Sequence, residues 1–460
     1  MFNKAETDAF PASWNRIDRG HRDLATVLPL TGNGQILVFL IIALCGYSMP
    51  LPNTEGGPSV PFWAQPIEVL HGVYIHEALM IVYLLHSGLN GSLYRMDVPR
   101  GALRYGLFIA LLGVLGVISA FFNQYSAAYP ILDVFKALRL VLLSIFFLAM
   151  VHWARILGAN VVLRTFLIGA TMGGLVNLYF TFRFQTNMIG ILPMLLGQNG
   201  PGGALGVCIG LGALLMLIRR TRADEFAALS VLTIGCICEL ISFSKLGQLM
   251  ALAGLIGWAG LFLSIRRQTQ RHLIGFLCIG ASLAALFYMN RPDIENQFIE
   301  SATFFISKLT GEKVVDPEMD THRLAYYYAV FDIMAGRPWV GVSYSGFADA
   351  INTLTINIPG LEHEMNPSFA NPHNAFLYYM AANGLPSLPL IAALFGMFVA
   401  ILWKYLSPFG ISGVILWACL SAVYLLHGNS LPTLFNTEVM YIPAALAFSR
   451  LKPDIPIFSS

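Results

Sequence analysis

Charge is what this sequence has least of. Lys, Arg, Asp and Glu supply 11% of its 460 residues, about half the share in a soluble domain, while 56% are apolar. That balance excludes a soluble globular fold. The formal net charge is only +2, so the chain has no basic field for recruiting nucleic acid, and nucleic-acid binding is excluded. Cysteine is scarce as well. All six (Cys45, Cys208, Cys236, Cys238, Cys278 and Cys419) lie inside apolar runs, where they read as packing residues, with Cys236/Cys238 a weak motif at best. H-E-x-x-H, paired C-x-x-C, GxxxxGK[ST] and G-x-S-x-G are all missing, which removes the commonest metal, thiol, nucleotide and acyl-transfer readings. Neither a fixed-period repeat nor a low-complexity tract is present. Nor is there a signal-peptide pattern: residues 1–34 mix Lys4, Arg16, Arg19 and Arg22 with Glu6, Asp8, Asp18 and Asp23, which reads as a retained tail.

Long apolar runs, by contrast, are abundant. A helix needs about 20 apolar residues to cross the hydrocarbon core, and qualifying runs begin near Gln35, Ile67, Gly101, Phe135, Val161, Met188, Phe226, Leu246, His272, His373, Ile411 and Glu438. The prediction is an all-α polytopic membrane protein with about 12 transmembrane helices. The sixth run is interrupted by Gly197 to Gly203 (GQNGPGG) and counts as one broken span, tolerable where it lines a cavity. Gly206 and Gly210 form a small-xxx-small pair that predicts close helix packing. With the tail inside, 18 of the 27 Lys+Arg flank the spans on the cytoplasmic side, so both termini are expected there.

One outward segment stands apart. Residues 291–372 form an 82-residue polar stretch with 11 Asp+Glu and 5 Lys+Arg, a net charge of −6, and loops of this length are usually functional. Helical patterns run from Ile294 to Leu309 and from Leu324 to Met334, the second with Asp320 or Thr321 as N-cap and Gly336 as stop. The expected organisation is a cytoplasmic tail (1–34), helices 1–9 (35–290), one large, partly helical periplasmic loop (291–372), helices 10–12 (373–449) and a second cytoplasmic tail (450–460).

Several ionisable residues are candidates for chemistry. Asn371, Pro372, His373 and Asn374 read as N-cap, N1, N2 and N3 of a helix that runs to Asn383 and stops at Gly384. There the helix dipole disfavours imidazolium and leaves His373 able to accept a proton, as a general base must. Capping at a membrane boundary is the competing explanation. Arg323, beside His322 and ahead of Tyr326, Tyr327 and Tyr328, can grip a phosphate bidentately, or lie on a solvated face paired to a loop carboxylate. Lys245, after Ser242-Phe243-Ser244, sits at an outer helix end, where snorkelling alone would account for it. In the second span Glu68 and His71 are expected to share a face, with His76 and Glu77 near mid-membrane. Such groups must face protein or water, as a proton relay or a structural hydrogen-bond network. Glu362-His363-Glu364 offers metal donors, although acidic loop tips usually face solvent.

Taken in order, these residues resemble a known family. Asn371-Pro372-His373-Asn374-Ala375-Phe376-Leu377 is similar to the H-x-H-N-x-[FY]-L signature of the O-antigen ligase and polysaccharide polymerase superfamily, with Asn371 for the first His. Arg323 followed by Pro338-Trp339-Val340-Gly341-Val342-Ser343 and Phe347 resembles its R…P-x-x-G-x-G…F element, with Ser343 where a second Gly is usual. Ser244-Lys245-Leu246-Gly247 resembles its S-R-[GA]-[GA] span entry, with Lys for Arg.

The resemblance implies a metal-independent, cofactor-free inverting glycosyltransferase of the GT-C type in the bacterial inner membrane. Its active site would face the periplasm and move a glycan from undecaprenyl pyrophosphate to an acceptor hydroxyl. It assigns the base to His373 and the pyrophosphate to Arg323 and Lys245, with Arg291, Arg183, Arg139, Asn374 and His322 as supporting candidates and no metal ligand. The implied partners are the lipid-linked donor, a glycan, lipid A core or protein acceptor, and membrane lipids. The acidic loop favours a polymerase over a ligase, since a phosphate-rich lipid A core would be repelled. A secondary transporter, argued from the broken span and the second-span His/Glu group, and a non-catalytic assembly component are the rivals from other classes.

Overall fold

The computed structural model describes residues 32–48, 68–70, 73–89, 98–123, 130–183, 199–241, 245–262, 265, 267–290, 303, 317–347, 350, 374–430 and 441–451. Its helices are α1 (Gly32–Ser48), α2 (Ile75–Leu89), α3 (Arg100–Phe122), α4 (Pro130–Leu157), α5 (Ala159–Arg183), α6 (Asn199–Ile218), α7 (Arg222–Ile241), α8 (Lys245–Phe262), α9 (Arg267–Asn290), α10 (Pro317–Gly336), α11 (Ala375–Asn383), α12 (Ser387–Leu406), α13 (Gly410–Ser430) and α14 (Tyr441–Ser449). A minimal antiparallel ribbon, β1 (Glu68–Leu70) with β2 (Val73–Tyr74), precedes α2.

Among the described residues, Arg100–Phe122, Ile131–Leu157, Ala159–Tyr179 and Ser387–Leu425 are long and apolar enough to cross a membrane, and four shorter apolar helices accompany them. The last of these runs is a hairpin rather than one rod. A 3-10 turn at Ser407–Phe409 and Gly410, at φ +66°, reverse the chain. Trp417 Nε1 then donates to the Val399 carbonyl at 3.0 Å, and Phe398 stacks on Tyr424 at 3.5 Å between centroids. Apolar side chains such as Leu107, Phe121, Phe135, Ile168, Leu252 and Ile279 face outward from the bundle, as lipid contact demands in a multi-pass membrane protein.

Small residues bring the helices together. A Cβ on Gly206 would lie 2.8 Å from Met250 Cβ, and one on Gly254 would meet Ile209 Cγ2 at 2.8 Å, so α6 and α8 pack through the Gly206/Gly210 stretch as the spacing predicts. α14 is buried along its whole length, and its Phe448 reaches Tyr105 of α3 and Phe147 of α4 at 5.6 and 5.9 Å. The hydroxyls of Tyr105 and Tyr424 lie 3.1 Å apart.

Two local expectations are corrected. The second span does not begin at Ile67: Glu68 lies in β1 and the helix starts at Ile75. Gly72 and the β-branched or aromatic residues around it weaken helix formation there. His76 and Glu77 therefore occupy the first turn of α2, not its middle. α10 begins at Pro317 rather than near Thr321, because proline suits a first helical turn; its end at Gly336 agrees with the expectation. α6 starts inside the glycine-rich stretch, at Asn199; the first half of the expected broken span, from Met188, lies outside the described residues. The run after His373 is two helices, α11 and α12, divided at Gly384, where the stop was expected.

Candidate functional site

Polar residues gather where α3 ends and α4 begins. Asn123, just past α3, donates from Nδ2 to the carbonyls of Ser119 at 2.8 Å and Gly341 at 3.2 Å, while its Oδ1 accepts from Arg337 Nη1. Ser119 Oγ donates to the Ala382 carbonyl at 2.6 Å. Buried Asp133, in the first turn of α4, accepts on Oδ2 from Ser343 Oγ at 2.6 Å and Ser345 Oγ at 2.7 Å.

These contacts pin the 337–347 segment against α11. The Val342 and Ser343 amides donate to the Ala381 and Ala382 carbonyls at 2.8 and 3.0 Å, and the Leu385 amide donates to the Pro338 carbonyl at 2.8 Å. The approach is so close that a Cβ on Gly341, whose φ is +64°, would sit 2.3 Å from the Ala381 oxygen. Glycine is required here for both reasons. Ser343 has φ +68° and is the non-glycine residue with positive φ among the described residues. It occupies the position where the resembled element carries its second glycine.

Aromatic rings complete the cluster. Tyr344 packs against Tyr378 and Tyr379 with centroids 6.0 and 6.2 Å away, and its hydroxyl accepts from Asn383 Nδ2 at 3.2 Å. Burial pushes the Tyr344 phenol well above its ordinary range, so it stays neutral and acts as a hydrogen-bonding group rather than a base.

The predicted site residues map onto this frame unevenly. Asn374 is the N-cap of α11, with φ −146° and ψ 114° and its side chain accepting from the Leu377 amide at 3.1 Å. This corrects the placement of the cap at Asn371: Asn374 has the extended backbone and the reachable N3 amide that an N-cap needs. His373, which lies outside the described residues, thus precedes the cap in sequence instead of standing at N2. Arg323 and His322 lie on α10, Lys245 opens α8 and Arg183 closes α5, and the side chains of these four lie outside the described set, as do Arg291, His71 and Glu362-His363-Glu364.

Arg139 is fully placed. Its Nε meets Glu77 Oε1 at 2.7 Å and its guanidinium lies over the Tyr74 ring, 4.9 Å from the centroid. Glu77 Oε2 also accepts from the Tyr74 amide at 2.9 Å, and the Tyr74 and His76 rings stack at 5.7 Å. The second-span ionisable group is therefore, in its described part, a hydrogen-bonded network tying α2 to α4.

Asp133, Ser119, Asn123 and Ser345 were not singled out from sequence. The available signal was Asp133 itself, one carboxylate in the apolar run Pro130-Ile131-Leu132-Asp133-Val134-Phe135, since a charge in such a setting is expensive and needs partners. Among the described residues no group of three His, Cys, Asp or Glu is arranged to hold a metal ion.

Fold and site thus define a multi-pass helical membrane protein with a polar, backbone-clamped site at one end of its bundle. Residues 228–392 match the O-Antigen ligase family, a stretch from α7 to the start of α12 that contains Lys245, Arg323, Gly341 and His373, and the match supports membership of the O-antigen ligase superfamily. This is a family of glycosyltransferase-like membrane enzymes acting on lipid-linked glycans and their acceptors. No match is found among curated proteins.

Proposed function

We infer that the chain is a periplasmic-side inverting glycosyltransferase that polymerises a surface polysaccharide, O-antigen or exopolysaccharide, from undecaprenyl-pyrophosphate-linked units in the bacterial inner membrane. The observation that carries this reading is the family match over residues 228–392, which holds the three assigned residues Lys245, Arg323 and His373 in order.

His373 takes the proton from the acceptor hydroxyl as that oxygen attacks the anomeric carbon. The pyrophosphate leaves from the opposite face, giving inversion, and its charge is met by Arg323 and Lys245. Protein cations take the place of a metal ion, and no cofactor is needed. Arg291, Arg183, His322 and Asn374 are supporting candidates. Arg139 is a weaker one, because its Nε is committed to Glu77.

The sidedness rests on charge. Arg100, Arg155, Arg219, Arg220, Lys404 and Arg450 lie at the end of the bundle opposite Asn123 and Gly341, and an excess of Lys and Arg marks the cytoplasmic face. Incubating purified protein with a lipid-linked glycan, and with glycan, lipid A core or protein acceptors in parallel, tests the assignment. Elongated glycan still attached to the carrier is the expected product. Transfer only to lipid A core or to protein would reassign the enzyme as a ligase or a protein transferase.

A further inference from the structure

In sequence, one candidate catalytic residue precedes and the other follows one short segment. Arg323 belongs to α10, residues 337–347 follow it, and His373 precedes the cap of α11 in sequence. The segment is tied to α11 by the Val342, Ser343 and Leu385 amide bonds and to the α3 end by Asn123. Its one link to α4 in this network is Asp133, which is fully buried and receives both serine hydroxyls on a single oxygen. Its other oxygen, Oδ1, has no hydrogen-bond partner among the described residues.

The backbone at this link is costly. A serine at φ +68° is rarely populated and persists only where its surroundings over-determine it. Here the surroundings are specific: Ser343 is fully buried, its amide is bonded to Ala382 and its hydroxyl to Asp133. Strain held by a dedicated partner, next to a segment joining two functional elements, is the pattern expected of pre-organisation.

We propose that Asp133 and Ser343 are positioning residues, a clamp that anchors the 337–347 segment, and with it α10 and the α11 helix it is bonded to, on α4, and so holds in place the elements that carry the phosphate-binding cation and the base. The proposal rests on the glycosyltransferase reading for its activity consequence, though not for its structural one. Neither residue touches substrate. Asp133 acts as an acceptor of two hydrogen bonds, not as a charge or a proton carrier, so an amide with one oxygen facing the serines can replace it.

The test compares D133A, D133N, S343A and S343G as full-length protein in detergent, by hydrogen exchange over residues 339–347 and by steady-state transfer kinetics. In D133A the Val342 and Ser343 amides should exchange about tenfold faster, as for loss of a hydrogen bond or two in a local opening reaction. Its kcat should fall by about 10- to 100-fold, the scale of an ångström-sized misplacement, with a smaller change in KM for the donor. D133N should resemble wild type in both readouts. S343A keeps the strained backbone and loses the hydroxyl, whereas S343G loses both strain and hydroxyl, so S343G should be the more active. D133A exchanging like wild type, D133N behaving like D133A, or faster exchange with unchanged kcat each overturns the proposal. A wild-type protein without transferase activity sinks the functional reading instead, and exchange in D133A then decides the clamp by itself.

Discussion

Arg139 Nε and Glu77 Oε1 stand 2.7 Å apart, joining the first turn of α2 to α4 across 62 positions of sequence. Glu77 is 5% exposed and Arg139 21%, so the pair is sheltered without being fully buried. Glu77→Ala removes the carboxylate from both Arg139 and the Tyr74 amide. We expect a loss of about 2 kcal/mol in stability, somewhat less than for breaking a fully buried pair. Thermal unfolding in detergent measures it. Removing Arg139 as well should cost less than the sum of the two single losses, and the difference measures the coupling of the pair.

Gly341→Ala should be far more damaging than its size suggests. The new Cβ would meet the Ala381 and Ala382 carbonyl groups at 2.3 to 2.6 Å, and the backbone is at φ +64°. The 337–347 segment must then leave α11. Transfer should drop by at least about 100-fold, as for any ångström-scale displacement of catalytic elements. Proteolysis within the segment should accelerate in parallel, and a variant with normal proteolysis and normal turnover would contradict the packing described.

The assigned residues make separable claims. His373→Ala should lower transfer by roughly 100- to 10,000-fold while the protein still inserts, since a proton acceptor and not a packing group is removed. Arg323→Lys should be severely impaired because a point charge does not reproduce bidentate phosphate binding, whereas Lys245→Arg should be tolerated. Chelator should leave the rate unchanged. Strict dependence on added magnesium would count against a pyrophosphate held by Arg323 and Lys245 alone.

The helices were legible because apolar runs and their punctuation are local signals. The stop of α10 at Gly336 and of α11 at Asn383 followed from glycine chemistry, and the α6–α8 contact followed from Gly206 and Gly210. Helix starts were harder. Asn371 and Asn374 are equally good capping residues on paper, and only the extended backbone at Asn374 decides between them. The Asp133–Ser343 contact spans 210 positions, and no periodicity reports such a distance. A serine in place of a family glycine was visible in sequence, but not that its backbone keeps the conformation a glycine would have adopted.

At the opposite end of the bundle, Asp224 is a pH probe of the fold. Thr221 and Asp224 form a reciprocal capping box at the start of α7, with bonds of 3.0 and 3.2 Å, and Asp224 also accepts from the Arg220 amide, Asn160 and Arg164. Burial alone would raise its pKa, but the bonds from Arg220, Asn160 and Thr221 outweigh burial and hold the carboxyl below its ordinary range. A lowered folded value means that Asp224 contributes stability above the unfolded carboxylate pKa of about 3.9, and that this contribution disappears as pH falls through the lowered value. Asp224→Asn should therefore cost about 1 to 3 kcal/mol near pH 7 and progressively less as the pH is taken below the ordinary carboxylate range. Melting curves of the two proteins that stay parallel across this range would show that the carboxylate is not the linked group.

The acceptor is decided by what accumulates without the enzyme. Residues 291–372 carry a net charge of −6, with Asp293, Glu295, Glu300, Glu312, Asp316, Glu318 and Asp320 in the first half. A lipid A core rich in phosphate would approach that segment against repulsion, while a neutral growing glycan would not. The effect is short-ranged, because charges are screened within about 10 Å at ordinary salt, and it therefore weighs on the last step of docking rather than on long-range encounter. Raising the ionic strength should accordingly change the KM for a phosphorylated acceptor and leave that for a neutral glycan nearly constant. In cells, deletion of the gene should leave single repeat units on the carrier or at the surface. Full-length polymer accumulating on the carrier, with lipid A core left bare, would make the enzyme a ligase and overturn the polymerase assignment.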